Sequence, residues 1–158
     1  MTAPAPALEL RAIVDAVAAD PALWRPLVLH DAEQRRFELL SRDEEVEVWV
    51  VSWMPGHDTG FHDHEASAAA IVVAEGAIRE QRLAVGRAHV ERHVAAGQAL
   101  TVRPADIHRV LHSGPTPSVT IHAYSPPLRR MGQYESDDDG TLRRHAQDAE
   151  EELRPIAA

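Results

Sequence analysis

Three histidines and one short extended segment hold the residue types from which a reaction centre could be built. His62 and His64 stand one residue apart in Pro55-Gly56-His57-Asp58-Thr59-Gly60-Phe61-His62-Asp63-His64. In an extended chain, side chains at i and i+2 point to the same face, so both imidazoles can converge on one point. Downstream, the turn Pro104-Ala105-Asp106-Ile107 delivers His108 to the start of a new strand. Three neutral imidazoles suit a first-row divalent metal such as Fe, Zn, Cu or Ni. In Val119-Thr120-Ile121-His122-Ala123-Tyr124 the period of two sets Thr120, His122 and Tyr124 on one face, with the apolar residues on the other. A hydroxyl, an imidazole and a phenol in a row are costly in a dry core, so they read as the lining of a polar cavity. The chain has ten histidines, and the others are weaker candidates. His89 and His93 lie in a charged strand that faces solvent, and His112 could back His108 only if no bulge intervenes. His30, His57 and His145 lack such a setting.

The elements that must position these residues are mostly strands. Leu8, Ile13, Val14 and Val17 fall at helical spacing, predicting an amphipathic helix over residues 7–19. Asp20-Pro21 ends it, Pro21 opens a short second helix through Trp24, and Asp31 could cap a further turn over 32–36. From Phe37 onward, short β-prone runs alternate with Gly, Pro and Asp punctuation: 46–53, 69–74, 77–85, 89–94, 99–102, 108–112 and 119–125. No helix intervenes, so the expected fold is all-β, an antiparallel sandwich or barrel with a short N-terminal helical segment. The domain organisation follows: a disordered lead over 1–7, a helical segment over 8–36, a barrel over 37–135, and an acidic tail over 136–158, partly helical from Thr141 to Leu153.

Composition narrows the function classes. A formal net charge of −9 in 158 residues disfavours a nucleic-acid binder, which needs a basic face to neutralise phosphates. The chain has no cysteine, which excludes disulfides and thiolate metal sites and fits a cytoplasmic protein. No stretch reaches the roughly 18–20 apolar residues that span a membrane.

Taken together, these residues resemble the cupin motifs. Gly56, then His62-Asp63-His64 with Gly76 as the closing glycine, resembles the first motif; Pro104-Ala105-Asp106-Ile107-His108 after Gly97 resembles the second. Within the cupins, the combination is similar to the cysteine dioxygenase family of thiol dioxygenases. Trp53-Met54-Pro55-Gly56, His62-Asp63-His64, Asp106-Ile107-His108-Arg109-Val110 and Ile121-His122-Ala123-Tyr124-Ser125-Pro126-Pro127-Leu128 carry that likeness over about half the chain. The resemblance implies a cupin-like antiparallel jelly-roll barrel. It implies Fe(II) held by His62, His64 and His108, with Tyr124 and His122 as a pair beside the metal and Thr120 where many members have serine. The glutamate that other cupins add to the ligand set would fall at Ala68 or Ala69. The cysteine that is cross-linked to the tyrosine in animal members maps near Ala69, so Tyr124 is unmodified here. The partners implied are a small thiol and O2, with a monomer as the family-like state.

The chemistry suits such a site. Neutral ligands leave the +2 charge of the metal uncompensated, so an anionic thiolate can bind. O2 placed beside the bound sulfur turns an encounter into a reaction between neighbours. The resemblance implies a sulfinic acid as product. The substrate is less defined. Counting back from Trp53 puts Arg36 at the family's carboxylate-binding arginine, whereas matching Phe37-Glu38-Leu39 to the family's aromatic puts Leu39 there. The first choice favours cysteine; the second favours 3-mercaptopropionate or a bulkier thiol-imidazole resembling ergothioneine. Arg129 and Arg130 are reserve carboxylate partners. Two other classes stay open, a non-catalytic metal-binding cupin sensor and a zinc hydrolase or lyase.

Overall fold

A computed structural model describes residues 3–84 and 86–148. Helix α1 (Ala7–Ala18) is followed by α2 (Pro21–Trp24) and a single 3-10 turn (Arg25–Leu27). Eleven strands follow: β1 (Arg36–Arg42), β2 (Glu47–Trp53), β3 (His62–Asp63), β4 (Ala68–Glu75), β5 (Ala77–Arg82), β6 (Val90–Ala95), β7 (Ala99–Val102), β8 (His108–Ser113), β9 (Ser118–Ser125), β10 (Arg130–Ser136) and β11 (Leu142–Asp148). They form two antiparallel sheets, one in the order β1-β2-β9-β4-β7 and the other β11-β10-β3-β8-β5-β6. The expected all-β cupin-like barrel with its N-terminal helix is the fold observed. None of the described helices is long and apolar enough to cross a membrane.

The burial pattern follows from what covers each sheet. Helix α1 lays Leu10 and Val14 on the outer face of the five-stranded sheet, against Val48, Val50, Ala70, Val72, Ile121 and Ala123. The inner face of that sheet packs Val51, Trp53, Ile71 and Val73 against Ile78, Val110 and Met131 of the other. β4 and β9 are thus covered on both sides, and all eight residues of β9 are buried. Such strands read as continuous apolar runs, which makes the polar residues at 120, 122 and 124 conspicuous.

Three expectations are corrected. The helical turn over 32–36 is absent: the Asp31 carboxylate accepts from Glu33 N at 2.9 Å in a side-chain turn, and β1 begins at Arg36. Residues 83 and 84 of the 77–85 segment are not strand, because β5 ends at Arg82, and residue 85 lies outside the described residues. The tail expected to be helical from Thr141 instead forms β11, paired along its whole length with β10. Asp137-Asp138-Asp139-Gly140 is the hairpin turn between them, with Asp137 N donating to Thr141 O at 2.8 Å. An aspartate–glycine turn is a hairpin signal, but β11 is exposed at nearly every position and has no apolar alternation to mark it. The end of the expected helix, 149–153, lies outside the described residues.

Gly76 joins β4 to β5 with φ +76°, and a Cβ there would collide with Ser118 Oγ and lie 2.8 Å from Pro117 O. Ser118 cannot give way, because its hydroxyl bridges Ala77 N and Ala77 O at 3.0 Å each. Gly76→Ala is therefore expected to destabilise the protein by about 1–3 kcal/mol. A urea unfolding midpoint equal to that of the unsubstituted chain would contradict this.

Candidate metal centre

The centre is built on a two-residue strand. β3 pairs with β8 through a single register partnership, His62 opposite His108, and with β10 through Asp63 opposite Gly132. Directly opposed residues share a face of the sheet, so pairing itself brings His62 and His108 together. Their ring centroids are 4.6 Å apart. His64, just past β3, adds the third ring at 5.0 Å from His62 and 5.1 Å from His108. All three are buried, with ligand atoms within 4.8 Å of one another.

The residue between the two histidines points the other way and fixes them. The Asp63 carboxylate accepts from Tyr134 OH at 2.6 Å, Gly132 N at 3.1 Å, Glu65 N at 3.0 Å and Arg144 Nε at 2.9 Å. Burial alone would raise its pKa, but these donors, Arg144 and Tyr134 foremost, hold it down at about 2. On the other side, the loop before His62 is stitched to β8: Thr59 N donates to Val110 O at 2.9 Å, Thr59 Oγ1 accepts from Val110 N at 2.9 Å, and Asp58 pairs with Arg109.

Hydrogen bonds set two of the three tautomers. Gly60 O can only accept, so His62 Nδ1 donates to it at 3.0 Å and leaves Nε2 with its lone pair. His108 Nδ1 lies 2.8 Å from Glu80 Oε2, and Glu80 is ionised: hydrogen bonds from His108 and Arg82 outweigh the burial that would raise its pKa. His108 Nε2 then faces the cluster. That atom and His64 Nδ1 are buried without a hydrogen-bond partner among the described residues, a cost of about 1–3 kcal/mol each. His62 and His64 are held well below the usual histidine range, first by burial and then by neighbouring imidazoles. Converging and partly unsatisfied imidazoles, two of them held neutral by burial, fit a divalent metal ion.

Beside the cluster runs a polar chain along β9. Trp53 Nε1 donates to Thr120 Oγ1 at 2.8 Å, Thr120 Oγ1 lies 2.7 Å from His122 Nε2, and His122 Nδ1 lies 3.0 Å from Tyr124 OH. The Tyr124 ring centroid stands 5.2 Å from that of His64. Burial, with His108 and Arg35 adding to it, lowers the His122 pKa to about 3. The row expected from alternation thus stands beside the three histidines, with Tyr124 against His64. Trp53, its far anchor, was not expected; a tryptophan at the end of an apolar strand reads as core.

The arginine is placed differently from the expectation. Arg36 sits opposite Ser52 on the outer face of β1 and bonds Asp31 at 3.0 and 2.5 Å, away from the histidines. Phe37, opposite Val51, faces inward and packs on the inner core, and Leu39, opposite Trp49, follows it on that side. Arg35 lies over the rings of Phe37 at 5.1 Å and Trp53 at 5.4 Å, and its charge helps depress His62 and His122. Arg129 and Arg130 are exposed. His112 turns its Nε2 to Thr116 O at 2.6 Å and gives no support to His108, while His89 and His93 are exposed as expected.

Fold and site together define a cupin-like double-stranded β-helix carrying a buried three-histidine group suited to a metal. Solved structures agree with the fold: a Klebsiella pneumoniae protein with a double-stranded β-helix domain matches with a TM-score of 0.58, at 20% identity, over 65% of this chain and 80% of that one. A Thermus thermophilus protein gives a TM-score of 0.58 at 19% identity over 65% of this chain and 92% of that one. The family model described as cysteine dioxygenase type I matches residues 3–137, and the chain belongs to that family. Human cysteine dioxygenase type 1 is 26% identical over 132 residues, covering 76% of this chain. The bovine protein of the same name is 24% identical over 132 residues. The chain spans 65% of the length of each.

Because His62, His64 and His122 are buried neutral, the unfolded chain binds more protons than the folded one below the ordinary histidine pKa of 6.5. Stability of the metal-free protein is expected to be full above that pH and to fall as pH drops toward 3. The limiting slope is about 1.4 kcal/mol per pH unit for each ring kept neutral. Replacing His122 with Leu should reduce the slope by one ring's share in urea titrations between pH 6 and 4; an unchanged slope would show that His122 takes up its proton in the folded state.

Proposed function

We propose that the protein is an Fe(II)-dependent thiol dioxygenase that converts a small thiol to its sulfinic acid. The observation that carries this reading is a buried group of three converging histidines, His62, His64 and His108, that could hold a metal ion with no carboxylate among them, next to the Thr120–His122–Tyr124 row. Family membership supports the same conclusion. When bound, the iron would supply a Lewis-acidic position favouring thiolate over thiol, together with the redox chemistry that activates O2. The reaction balances without another reductant: both oxygen atoms end on sulfur, which loses four electrons as O2 gains them.

The residues of the chain have distinct tasks. His62, His64 and His108 add no negative charge, so an anionic thiolate is drawn to the site rather than repelled from it. Two proton arrangements satisfy the β9 row. In the one we favour, Thr120 accepts from Trp53 and donates to His122 Nε2, and His122 Nδ1–H donates to the Tyr124 oxygen. The phenol proton is then directed away from His122 and can be offered to oxygen as it is transferred to sulfur. The opposite arrangement spends that proton on His122. Phe37, Val51 and Trp53 form an apolar wall that limits water.

Arg35 replaces Arg36 as the residue proposed to receive the substrate's carboxylate, since it is on the side of Phe37 and Trp53 and its charge reaches His62. The substrate class is then a short thiol with a carboxylate, cysteine or 3-mercaptopropionate, ahead of a thiol-imidazole. Leu39 on the same inner side leaves room beside an apolar chain.

Oxygen uptake by the Fe(II)-loaded protein should follow cysteine or 3-mercaptopropionate and exceed that with cysteamine or an imidazole thiol. Zinc at full occupancy in anaerobically purified protein, with no oxygen uptake on iron loading, would refute the dioxygenase reading. His108→Ala should lose the metal. Tyr124→Phe should keep it and lower kcat by roughly a hundredfold. Arg35→Gln should raise KM for the carboxylate thiols and leave cysteamine turnover unchanged.

A further inference from the structure

The three ligands are not equivalent from behind. Among the described residues, His62 is backed by the neutral carbonyl of Gly60, His64 Nδ1 has no hydrogen-bond partner, and His108 alone is backed by a charge, the carboxylate of Glu80. We infer that Glu80 is a positioning residue that fixes His108 with Nε2 toward the metal and lends the site, through that imidazole, the negative charge its ligand set lacks. The inference rests on the reading of His62, His64 and His108 as metal ligands.

The sheet register makes the contact. Arg82 is opposite His108 across β5 and β8, so Glu80, two residues earlier on the same face, lies diagonally against the imidazole. Burial makes it strong: His108 is 0% and Glu80 1% exposed. In such surroundings a hydrogen bond to a carboxylate polarises the ring and makes its other nitrogen a better electron donor. The cations that hold Glu80 are wetter. Arg82 Nε bonds Oε1 at 3.0 Å but is shared with Asp106 at 2.8 Å, and Arg92 stands at 3.4 Å with its side chain 49% exposed. Solvent screens their charges more than it screens Glu80 from His108. A cupin that adds a glutamate to its ligands places the charge on the metal; here it sits one imidazole further out, where it stabilises a higher iron charge without occupying a coordination position.

Glu80→Gln keeps a hydrogen-bond acceptor for His108 and removes the charge, so it separates the charge effect from loss of shape. Anaerobic Fe(II) titration should show roughly tenfold weaker binding. The Fe(III)/Fe(II) midpoint potential should rise by about 59 mV, the equivalent of a tenfold loss in relative Fe(III) affinity. Arg92→Ala removes a half-exposed counter-cation without entering the core, and should shift the potential the opposite way. A Glu80→Gln protein with unchanged affinity and potential overturns the inference. If that variant fails to fold, an unchanged or raised potential in Arg92→Ala overturns it instead. Failure of the unsubstituted protein to take up Fe(II) overturns the metal reading itself, and this inference with it; uptake by that protein with indifference to both substitutions overturns only the role of Glu80.

Discussion

Everything at the centre depends on one cross-strand pairing. β3 has two residues and a single partnership with β8, yet that partnership is His62 against His108. A slip of β3 by one residue would turn His62 to the face opposite His108, so the register has to be held from outside such a short strand. The Asp63 carboxylate anchors it to β10 and β11, while Thr59 and Asp58 anchor the preceding loop to β8. The histidines converge because neighbouring segments leave β3 no other place to lie.

Much of this was legible in the sequence. The alternation in β9 is a strong signal because its apolar face, Val119, Ile121 and Ala123, meets α1 and its polar face turns toward the three histidines. The histidine pair and His108 are set by turns whose glycines and proline are plain in the chain. What stayed hidden has physical reasons. Strand β11 is almost entirely exposed, so no buried face imprints a period on it. Arg35 and Arg36 are adjacent, and which one turns inward depends on where β1 starts. Once the Asp31 turn ends at Arg36 and pairs it with Ser52, Phe37 and the residues in phase with it take the inner side. Glu80 was the subtler omission. It follows Ile78 on the buried face of β5, and an inward carboxylate in an alternating strand needs a partner that only the fold can name.

The charge layout of the centre has a single logic. Burial keeps His62, His64 and His122 neutral, and charged groups stand on either side of them, Glu80 behind His108 and Arg35 over the rings of Phe37 and Trp53. Glu80 lies in β5 and Arg35 just before β1. Opposite charges on two sides give a field that orients as well as attracts.

The clasp of Arg144 on Asp63 bears on how this molecule should be delimited. The family match closes at residue 137, and Arg144 lies beyond it, in the hairpin's return strand. The three histidines thus lie in the region the family model matches, while one of the groups that hold Asp63 between two of them comes from a segment outside it. Trimming the chain at the apparent edge of the domain would leave the three histidines, and the Tyr134 and Gly132 hydrogen bonds to Asp63, in place and remove the ion pair that Arg144 adds behind them. The limits of this domain are better drawn by what supports the site than by where similarity ends.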